Sequence, residues 1–362
     1  MENAIQELPA PRSPLWQSIA ALSPAYFALV MATGIVSNAS YLLGMPRIAL
    51  ALFSLNVVCF AILVALTATR LAAFPRRLWA DLIDHKRGVG FFTTVAATCV
   101  LGAQFLLIAQ LRPVAMALWF LGIFLWLLLT YTIFTSFAVK ESKPSLAEGI
   151  HGGWLISVVA MQSVSLLGGM LAEGSGPYRE YVLFFSLAMW LGGGMTYIWI
   201  ISLIFYRYSF FPMSPADLSP PYWINMGAMA ISTLSGTILI SAAAGSPLLS
   251  QVAPFLKGFT LFFWSTATWW IPMLVILGVW RHIYKRFPLT YDPQYWGAVF
   301  PLGMYAACTF RLSGAIHMPP LVVVAHGFIV VALVAWGVTF VGLLASLWTV
   351  LWSTIAAANR SR

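Results

Sequence analysis

Ten apolar runs, each about 20 residues long, follow one another along the chain, and a run of this length is what a helix needs to cross a bilayer. They cover residues 22–43, 48–69, 90–110, 114–138, 153–172, 181–206, 222–243, 254–280, 294–313 and 320–351. Only 8% of the residues are charged, whereas a soluble domain carries about 25%. The sequence therefore predicts an all-α integral membrane protein with ten transmembrane helices.

The links between the runs predict how these helices are paired. The links inside pairs 1–2, 3–4 and 9–10 are short, and those between pairs are longer and more charged. This alternation indicates five helical hairpins in series, and we find no repeated sequence among them. The predicted organisation is an N-terminal cytoplasmic tail over residues 1–20, a ten-helix membrane domain over 21–352 and a C-terminal cytoplasmic tail over 353–362.

Lysine and arginine are distributed unevenly between the two sides of the predicted bundle. With the N-terminus inside, 14 of them fall on the cytoplasmic side and 5 on the other. Basic residues accumulate in cytoplasmic loops, so the bias predicts a multi-pass protein of the cell (inner) membrane with both termini in the cytoplasm. The net charge of +9 is then explained by the basic cytoplasmic loops, and no nucleic-acid partner is expected.

Odd-numbered and even-numbered runs differ in character. The even runs are bulky and lipid-like, while the odd runs carry most of the small and hydroxyl residues. Small residues also allow close helix packing in lipid, which is the alternative interpretation for any single Ser or Thr. Their alternation along the chain favours a central ring of odd helices that forms a pore. The candidate pore-lining residues are Thr33, Ser37, Phe92, Thr98, Gln162 and Ser232.

The charged residues indicate what such a pore would pass. All ten acidic residues lie in tails, loops or the ends of runs. Cation pathways and ion-coupled transporters usually retain a buried carboxylate, because a charge in lipid is costly and is kept only for use. A neutral path with basic mouths favours anions. The candidate mouth cations are Lys257 and Arg311 outside and Arg281 inside.

The sequence offers little for catalysis or for metal binding. It contains no pair of Cys or His residues at metal-ligand spacing and no nucleotide-binding or hydrolase motif, so we expect no catalytic residue, metal or cofactor. Asp81, Asp84 and His85 share one helical face, for which a solvated helix is preferred over a metal site. His326 is the one histidine well inside a run; an interhelical hydrogen bond is expected, and a titrating role stays open.

The ninth run contains an unusual combination of glycine and proline. Pro301 has no N–H, so the carbonyl of Gly297 loses its helical partner and the helix is expected to bend. Phe300 lies at this bend, where its ring could gate a narrow pore. The alternative is that Phe300 simply packs a helix interface.

Four stretches, at 23–37, 90–94, 218–225 and 295–301, resemble in order the tellurite-resistance/C4-dicarboxylate transporter family. This family includes slow-type anion channels of plants, malate permeases and fungal sulfite exporters. The resemblance implies five hairpins around a pore of odd helices, a homotrimer, and occlusion of the pore by a phenylalanine that matches Phe300. It also implies small anions as cargo, from chloride, nitrate and sulfite to C4-dicarboxylates.

Three functional hypotheses follow from the sequence. The leading one is passive or weakly coupled anion permeation through each protomer, occluded by Phe300. The alternative is a proton-coupled carrier for a C4-dicarboxylate such as malate, with His326 or a loop acid handling the proton. A membrane-embedded enzyme or sensor is the remote hypothesis, because the sequence places no paired catalytic groups at membrane depth.

Overall fold

The computed structural model describes residues 14–360, and side chains are described for residues 16–349. This part of the chain is nearly all helical, and ten of its helices are long. They are α1 (Ala28–Leu42), α2 (Pro46–Ala73), α3 (Phe92–Leu107), α4 (Arg112–Val139), α5 (Ile156–Ala172), α6 (Arg179–Phe210), α7 (Ile224–Ala243), α8 (Ala253–Val279), α9 (Trp296–Ala315) and α10 (Leu321–Arg360). The all-α prediction is confirmed, and the ten helices correspond to the ten predicted runs.

Nine helical stretches in the described chain are long and apolar enough to cross a membrane. The ninth predicted span, α9, is not among them, because it carries Pro301, Arg311 and several glycines and hydroxyl residues. Most of α9 is buried against other helices. A helix that neighbours shield from lipid can keep such residues, so the lower apolarity of α9 follows from its interior position.

Burial alternates from one helix to the next. In the spans that contain α1, α3, α5 and α7, 78–89% of the most apolar stretch is buried, against 11–39% in the even-numbered spans. The odd-numbered helices therefore form an inner layer, and the even-numbered helices surround it. The contrast that the sequence shows between odd and even runs reflects this arrangement.

The two predicted tails fall partly outside the described residues. The described chain begins with a short helix, Pro14–Ala20, inside the predicted N-terminal tail. At the other end α10 continues to Arg360, past the predicted end of the membrane domain at residue 352. Residues 1–13 and 361–362 lie outside the described part of the chain.

Each inner helix is preceded by a short 3₁₀ turn. The turns are Pro24–Phe27, Gly88–Phe91, Gly152–Leu155, Pro220–Trp223 and Pro293–Tyr295. Each begins with proline or glycine, and proline suits a first helical turn because its missing N–H has no partner to lose there. We call the side of the bundle where these turns lie the start side, and the opposite side the far side.

A belt of hydrogen bonds joins each outer helix to the inner helix of the next hairpin. The pairs are Asn56 of α2 to Gln104 of α3 at 2.7 Å, Trp119 of α4 to the Val164 carbonyl of α5 at 3.0 Å, Trp190 of α6 to the Ser232 carbonyl of α7 at 2.8 Å, Trp264 of α8 to the Thr309 hydroxyl of α9 at 3.0 Å, and Trp336 of α10 to the Thr33 hydroxyl of α1 at 3.0 Å. The last pair closes the ring.

The four belt tryptophans are 71, 74 and 72 residues apart. Four of the five outer helices thus supply one indole donor at a regular spacing, and α2 supplies Asn56 in its place. Each donor ties its hairpin to the next one in the ring.

Candidate functional site

A cavity of about 520 Å³ opens on the start side of the bundle, and all five 3₁₀ turns contribute to its lining. We call it the vestibule. From the five turns in chain order, its lining includes Ala25, Gly90, Gly153, Pro221 and Gln294. The first N–H groups of a helix have no partner within the helix, and the helix dipole places partial positive charge at this end. Five inner helices therefore direct positive potential toward the vestibule.

The charged side chains of the vestibule are of both signs. Arg87 pairs with Asp81 at 2.8 Å and Arg207 with Asp217 at 3.6 Å. Hydrogen bonds from the backbone and hydroxyl of Ser214 lower the pKa of Asp217, so this carboxylate is ionised at neutral pH. The lining cations Lys86, Arg87 and Arg207 exceed the lining carboxylates Glu148 and Asp217 by one charge. The positive potential of the vestibule therefore comes from this small net charge together with the five helix N-termini.

His151 fastens the second 3₁₀ turn to the third. Its Nδ1 accepts a hydrogen bond from Gly153 N–H at 3.1 Å, and its Nε2 donates to the Lys86 carbonyl at 3.2 Å. Burial is the main cause that lowers the pKa of His151 to about 4. The imidazole is therefore neutral at physiological pH, with its proton on Nε2, since a carbonyl can only accept.

A second and much smaller cavity, about 30 Å³, lies toward the far side. It has room for one or two water molecules, and we call it the far-side cavity. Residues from all five inner helices line it: Ile35, Asn38, Leu42, Val100, Ala103, Leu107, Leu166, Met170, Leu234, Ile238, Ala307 and Arg311. Both cavities therefore lie on the axis that the inner helices enclose.

Arg311 is the charged residue of the far-side cavity. Within the described chain it makes no hydrogen bond and no ion pair, and it is half-buried. Asn38 lines the same cavity, and its buried Oδ1 has no hydrogen-bond partner among the described residues. A cation and a free amide thus face a space of the size of a small ion.

Phe300 is fully buried, at 0% exposure. It lies in α9 between Gln294, which lines the vestibule, and Ala307, which lines the far-side cavity. At about 100° per residue, Phe300, Ala307 and Arg311 fall within about 40° on the helical wheel. Their spacing places Phe300 on the face of α9 that lines the far-side cavity, about two turns before Ala307 and about three turns before Arg311.

The helix that carries Phe300 is packed unusually closely. It continues as an α-helix through Pro301, and the proline ring fits against Gly227 of α7, where a Cβ atom would approach Pro301 Cγ to 2.6 Å. On the opposite side, a Cβ on Gly303 would come within 3.0 Å of Val36 in α1. Glycine is required at both contacts, because α9 is clamped between α1 and α7.

None of the six predicted pore-lining residues is among the described residues that line the two cavities, and four of them contact outer helices. Thr33 accepts from Trp336, Ser37 donates to the Ala49 carbonyl at 2.7 Å, Phe92 pairs with Phe134 at 5.8 Å, and Gln162 donates to the Trp190 carbonyl at 2.9 Å. Each of these partners lies on an outer helix. The hydroxyls of Thr98 and Ser232 bond to Thr94 and Ala228 in their own helices.

These contacts correct the interpretation of the hydroxyl residues in the odd runs. A buried hydroxyl or amide in an apolar bundle is costly unless it is hydrogen-bonded, so these groups pair with backbone carbonyls and with neighbouring helices. The residues that do line the far-side cavity are mostly Leu, Ile, Val and Ala, which sequence patterning does not distinguish from ordinary core residues.

The three predicted mouth cations occupy different environments. Arg311 lines the far-side cavity, whereas Lys257 is exposed on the outer helix α8. Arg281 is buried; it donates to the Leu218 carbonyl at 2.5 Å and its guanidinium lies 4.4 Å from the Phe287 ring. Arg281 therefore faces a side cavity between hairpins and not the vestibule.

Arginines at the ends of outer helices act as clasps, by which we mean that they donate to carbonyls at the ends of inner helices or next to them. On the start side the clasps are Arg70 to Ala20, Arg207 to Ala147 and Arg281 to Leu218, and on the far side Arg112 to Leu171 and Arg179 to Ala242. Carbonyls there lack helical partners, so these cations fix helix ends.

The residues that raised the metal and proton-transfer hypotheses have other roles. Asp81 pairs with Arg70 at 2.5 Å, Asp84 accepts from two backbone N–H groups at 2.9 Å, and His85 stacks on Phe137 at 4.2 Å. His326 is exposed on α10 and bonds to the Val322 carbonyl of its own helix at 2.9 Å. The expected interhelical bond of His326 is therefore wrong, and its side chain lies away from the axis.

Comparison with known proteins gives independent support for a membrane channel or transporter. Residues 21–344 match a family described as voltage-dependent anion channel. An uncharacterised transporter of Methanocaldococcus jannaschii is 26% identical over 88% of this chain and 91% of its own length. A sulfite efflux pump of Trichophyton rubrum is 21% identical over 90% of both chains, and an uncharacterised membrane protein of Mycobacterium tuberculosis is 38% identical over 41% of this chain and 75% of its own length.

The ring of five hairpins around two axial cavities, together with these matches, defines a membrane channel or transporter for anions. The chain belongs to the voltage-dependent anion channel family, which is the family whose plant, yeast and fungal members its sequence resembles. The resemblance found in the four short stretches is thereby confirmed over nearly the whole chain.

Proposed function

We propose that small anions cross the membrane along the axis of the inner helices, from the vestibule to the far-side cavity, and that the ring of Phe300 occludes this pore. The observation that carries the proposal is that the turns before all five inner helices line the vestibule and all five inner helices line the far-side cavity. Phe300 is fully buried and lies in α9 between these two levels. A large ring in a narrow apolar constriction blocks ions by volume and by excluding water.

Anion preference comes from two different sources in this proposal. On the start side, five helix N-termini supply partial positive charge. On the far side, Arg311 supplies a full charge without a partner among the described residues. The far-side cavity is small and mostly apolar, so an anion that enters it has to leave part of its hydration shell, and the fixed positive potential offsets part of that cost.

The direct test is anion flux from liposomes that contain the purified protein, with wild type compared to Phe300→Ala. The variant is expected to raise flux by about tenfold or more, because a barrier lower by about 1.4 kcal/mol already gives a factor of ten. The matched control is Phe263→Ala, which removes an equally buried ring from the outer helix α8.

Unchanged or reduced flux in a normally folded Phe300→Ala variant would contradict the gate. An equal rise in Phe263→Ala would show that loosened packing, and not an opened axis, is the cause. Neither result would bear on the wild-type flux itself, which tests anion transport separately.

The cargo is proposed at the level of class: chloride, nitrate, sulfite or a C4-dicarboxylate. Support for sulfite comes from the similarity to sulfite efflux pumps. A selectivity series on the reconstituted protein decides among these anions. A proton-coupled malate-type carrier would acidify the vesicle lumen during uptake and saturate with substrate, whereas a channel gives a flux that follows voltage.

The remaining features of the proposal concern topology and assembly. We place the start side and both termini in the cytoplasm, because 14 of the 19 basic residues then face inward, and we place the protein in the cell (inner) membrane. The family resemblance supports a homotrimer. A role in transport and not in catalysis is supported by the names of the relatives.

A further inference from the structure

A cavity of about 230 Å³ lies between the fourth and fifth hairpins, away from the axis. Its walls come from α8, from the 3₁₀ turn before α7 and from the start of α9, and they include Leu274, Leu277, Trp223 and Ala298. Arg281 and His282 lie at its start-side end. The cavity is therefore amphipathic, with apolar walls and a basic end.

The basic end contains a donor that the fold does not use. Arg281 is only 8% exposed, yet its buried Nε has no hydrogen-bond partner among the described residues. A buried donor without a partner costs about 1–3 kcal/mol, so a ligand with acceptor oxygens would be stabilised there. His282 lies beside it and donates from Nδ1 to the Phe287 carbonyl at 3.0 Å.

The local backbone at this end is also irregular. Arg281 and His282 belong to a π-helical turn, Trp280–Tyr284, that follows α8. Such turns occur often at functional sites. Lys285 and Arg286 follow this turn directly in the sequence, so four basic or imidazole side chains fall within six residues at this end of α8.

An apolar groove continues from the cavity along α8. It follows one face of the helix from Trp264 to Leu277, and Leu277 lines both the groove and the cavity. Thirteen residues of helix span about 20 Å, and one leaflet of the hydrocarbon core is about 15 Å thick. The groove thus runs from the basic end to about the middle of the membrane.

We propose that this cavity and groove bind one phospholipid with an anionic headgroup, taken from the leaflet on the start side. The phosphate oxygens accept from Arg281, and an acyl chain lies along α8 as far as Trp264. The proposal does not depend on the proposed transport function. Because Ala298 lines the cavity and lies two residues before Phe300, the bound lipid also contacts the segment that carries the gate.

The test is native mass spectrometry of the full-length protein taken from nanodiscs that contain phosphatidylcholine and phosphatidylglycerol in equal amounts. Gly278 lines the cavity, and a Cβ there would meet nothing within 4 Å. Gly278→Leu therefore fills the cavity without a clash in the protein. The matched control is Gly258→Leu in the same helix, where a Cβ also meets nothing within 4 Å.

Wild type and Gly258→Leu are expected to retain phosphatidylglycerol in preference to phosphatidylcholine. Gly278→Leu and Arg281→Gln are expected to reduce this retention by about tenfold, the factor that corresponds to loss of one charge-assisted contact. Since Arg281 also clasps Leu218, Gly278→Leu is the decisive variant.

Three outcomes overturn the proposal. In the first, Gly278→Leu retains phosphatidylglycerol at the wild-type level. In the second, excess inorganic phosphate displaces the adduct, which identifies a free-anion site. In the third, Gly278→Leu changes the oligomeric mass without changing lipid retention, which shows that a second copy of the chain covers the groove. Anion flux is not the readout, so failure here is distinguishable from failure of the proposed transport.

Discussion

The two ends of the axial path are built differently. The vestibule holds about 520 Å³, is lined by five 3₁₀ turns and contains side chains of both signs. The far-side cavity holds about 30 Å³, and its charged lining residue is Arg311. Positive potential comes from backbone dipoles and several side chains at the wide end, and from one side chain at the narrow end. A single substitution can therefore remove the charge at the far side but not at the start side.

The two ends are nevertheless alike in how they use their other arginines. Arg70 and Arg207 on the start side, and Arg112 and Arg179 on the far side, all donate to backbone carbonyls near the ends of inner helices. A basic residue at a helix end thus contributes to the pore only when its donors are free. Among the three predicted mouth cations, Arg311 meets this condition and faces the axis.

The largest expected effect on this contrast is that of Arg311→Gln. One unit charge about 8 Å from a permeating ion, at an effective dielectric constant of about 20, contributes about 2 kcal/mol. Its loss should lower anion flux, and the preference for anions over cations, by about tenfold or more. The measurement is reversal potential and flux in planar bilayers or liposomes, with Arg311→Lys expected to restore most of the preference.

Lys257→Gln serves as the control for this experiment. Lys257 lies on the same side of the membrane but is exposed on the outer helix α8, so its loss should leave selectivity unchanged. If both variants lower selectivity equally, the effect comes from the overall surface charge. Arg311 would then not be the specific source of positive potential at the far side.

The belt of hydrogen bonds lies between the two ends and joins the hairpins to one another. Trp190→Phe tests how much one of these bonds contributes to stability. The indole is fully buried and donates to the Ser232 carbonyl at 2.8 Å. Loss of the bond and of part of the ring volume should lower the free energy of unfolding by about 1–2 kcal/mol. The measurement is unfolding in mixed micelles, followed by tryptophan fluorescence or by protease resistance.

Trp199→Phe is the matched substitution, because Trp199 lies in the same helix at 62% exposure. It should change the free energy of unfolding by less than about 0.5 kcal/mol. If the two variants are equally stable, the belt bonds do not hold the hairpins together. The closure of the ring would then rest on packing alone.

Much of the architecture could be predicted because it follows from the solvent. A helix that crosses a bilayer needs an apolar run of about 20 residues, and the helices that contact lipid carry bulky apolar side chains. The number of helices and the contrast between inner and outer helices can therefore be recognised in the sequence. Phe300 and Arg311 stand out as candidates in the sequence for a related reason. An aromatic residue beside a proline and a cation near a span end are both unusual in an apolar run.

The lining of the two cavities could not be predicted in the same way. Thr33 and Gln162 have the composition expected of a polar path, but their bonds to outer helices are long-range contacts that a single sequence does not specify. Ala103, Leu166 and Ile238 line the far-side cavity and have the composition of any helix core. The regular spacing of the belt tryptophans, in contrast, is present in the sequence at 71–74 residues.

The smallest expected effect concerns His151 on the start side. Burial lowers its pKa to about 4, against an ordinary value of 6.5. Between these values the unfolded chain binds a proton that the folded protein excludes, so stability rises with pH across this window and falls as pH drops from 6.5 toward 4. Asparagine can keep the bond from the Gly153 N–H but does not titrate. His151→Asn should therefore flatten this pH dependence by about 1 kcal/mol or less, after allowance for partial exposure.

The measurement is the midpoint of thermal unfolding from pH 7 to pH 4, taken as the difference between wild type and variant so that the acids titrating in both cancel. His317→Asn is the control, because His317 is exposed and has a φ of 55°, which asparagine tolerates. Parallel curves for wild type and His151→Asn would show that His151 is solvated in the folded protein. The vestibule would then gain positive charge on mild acidification, and a larger share of its potential would come from side chains, as at the far side.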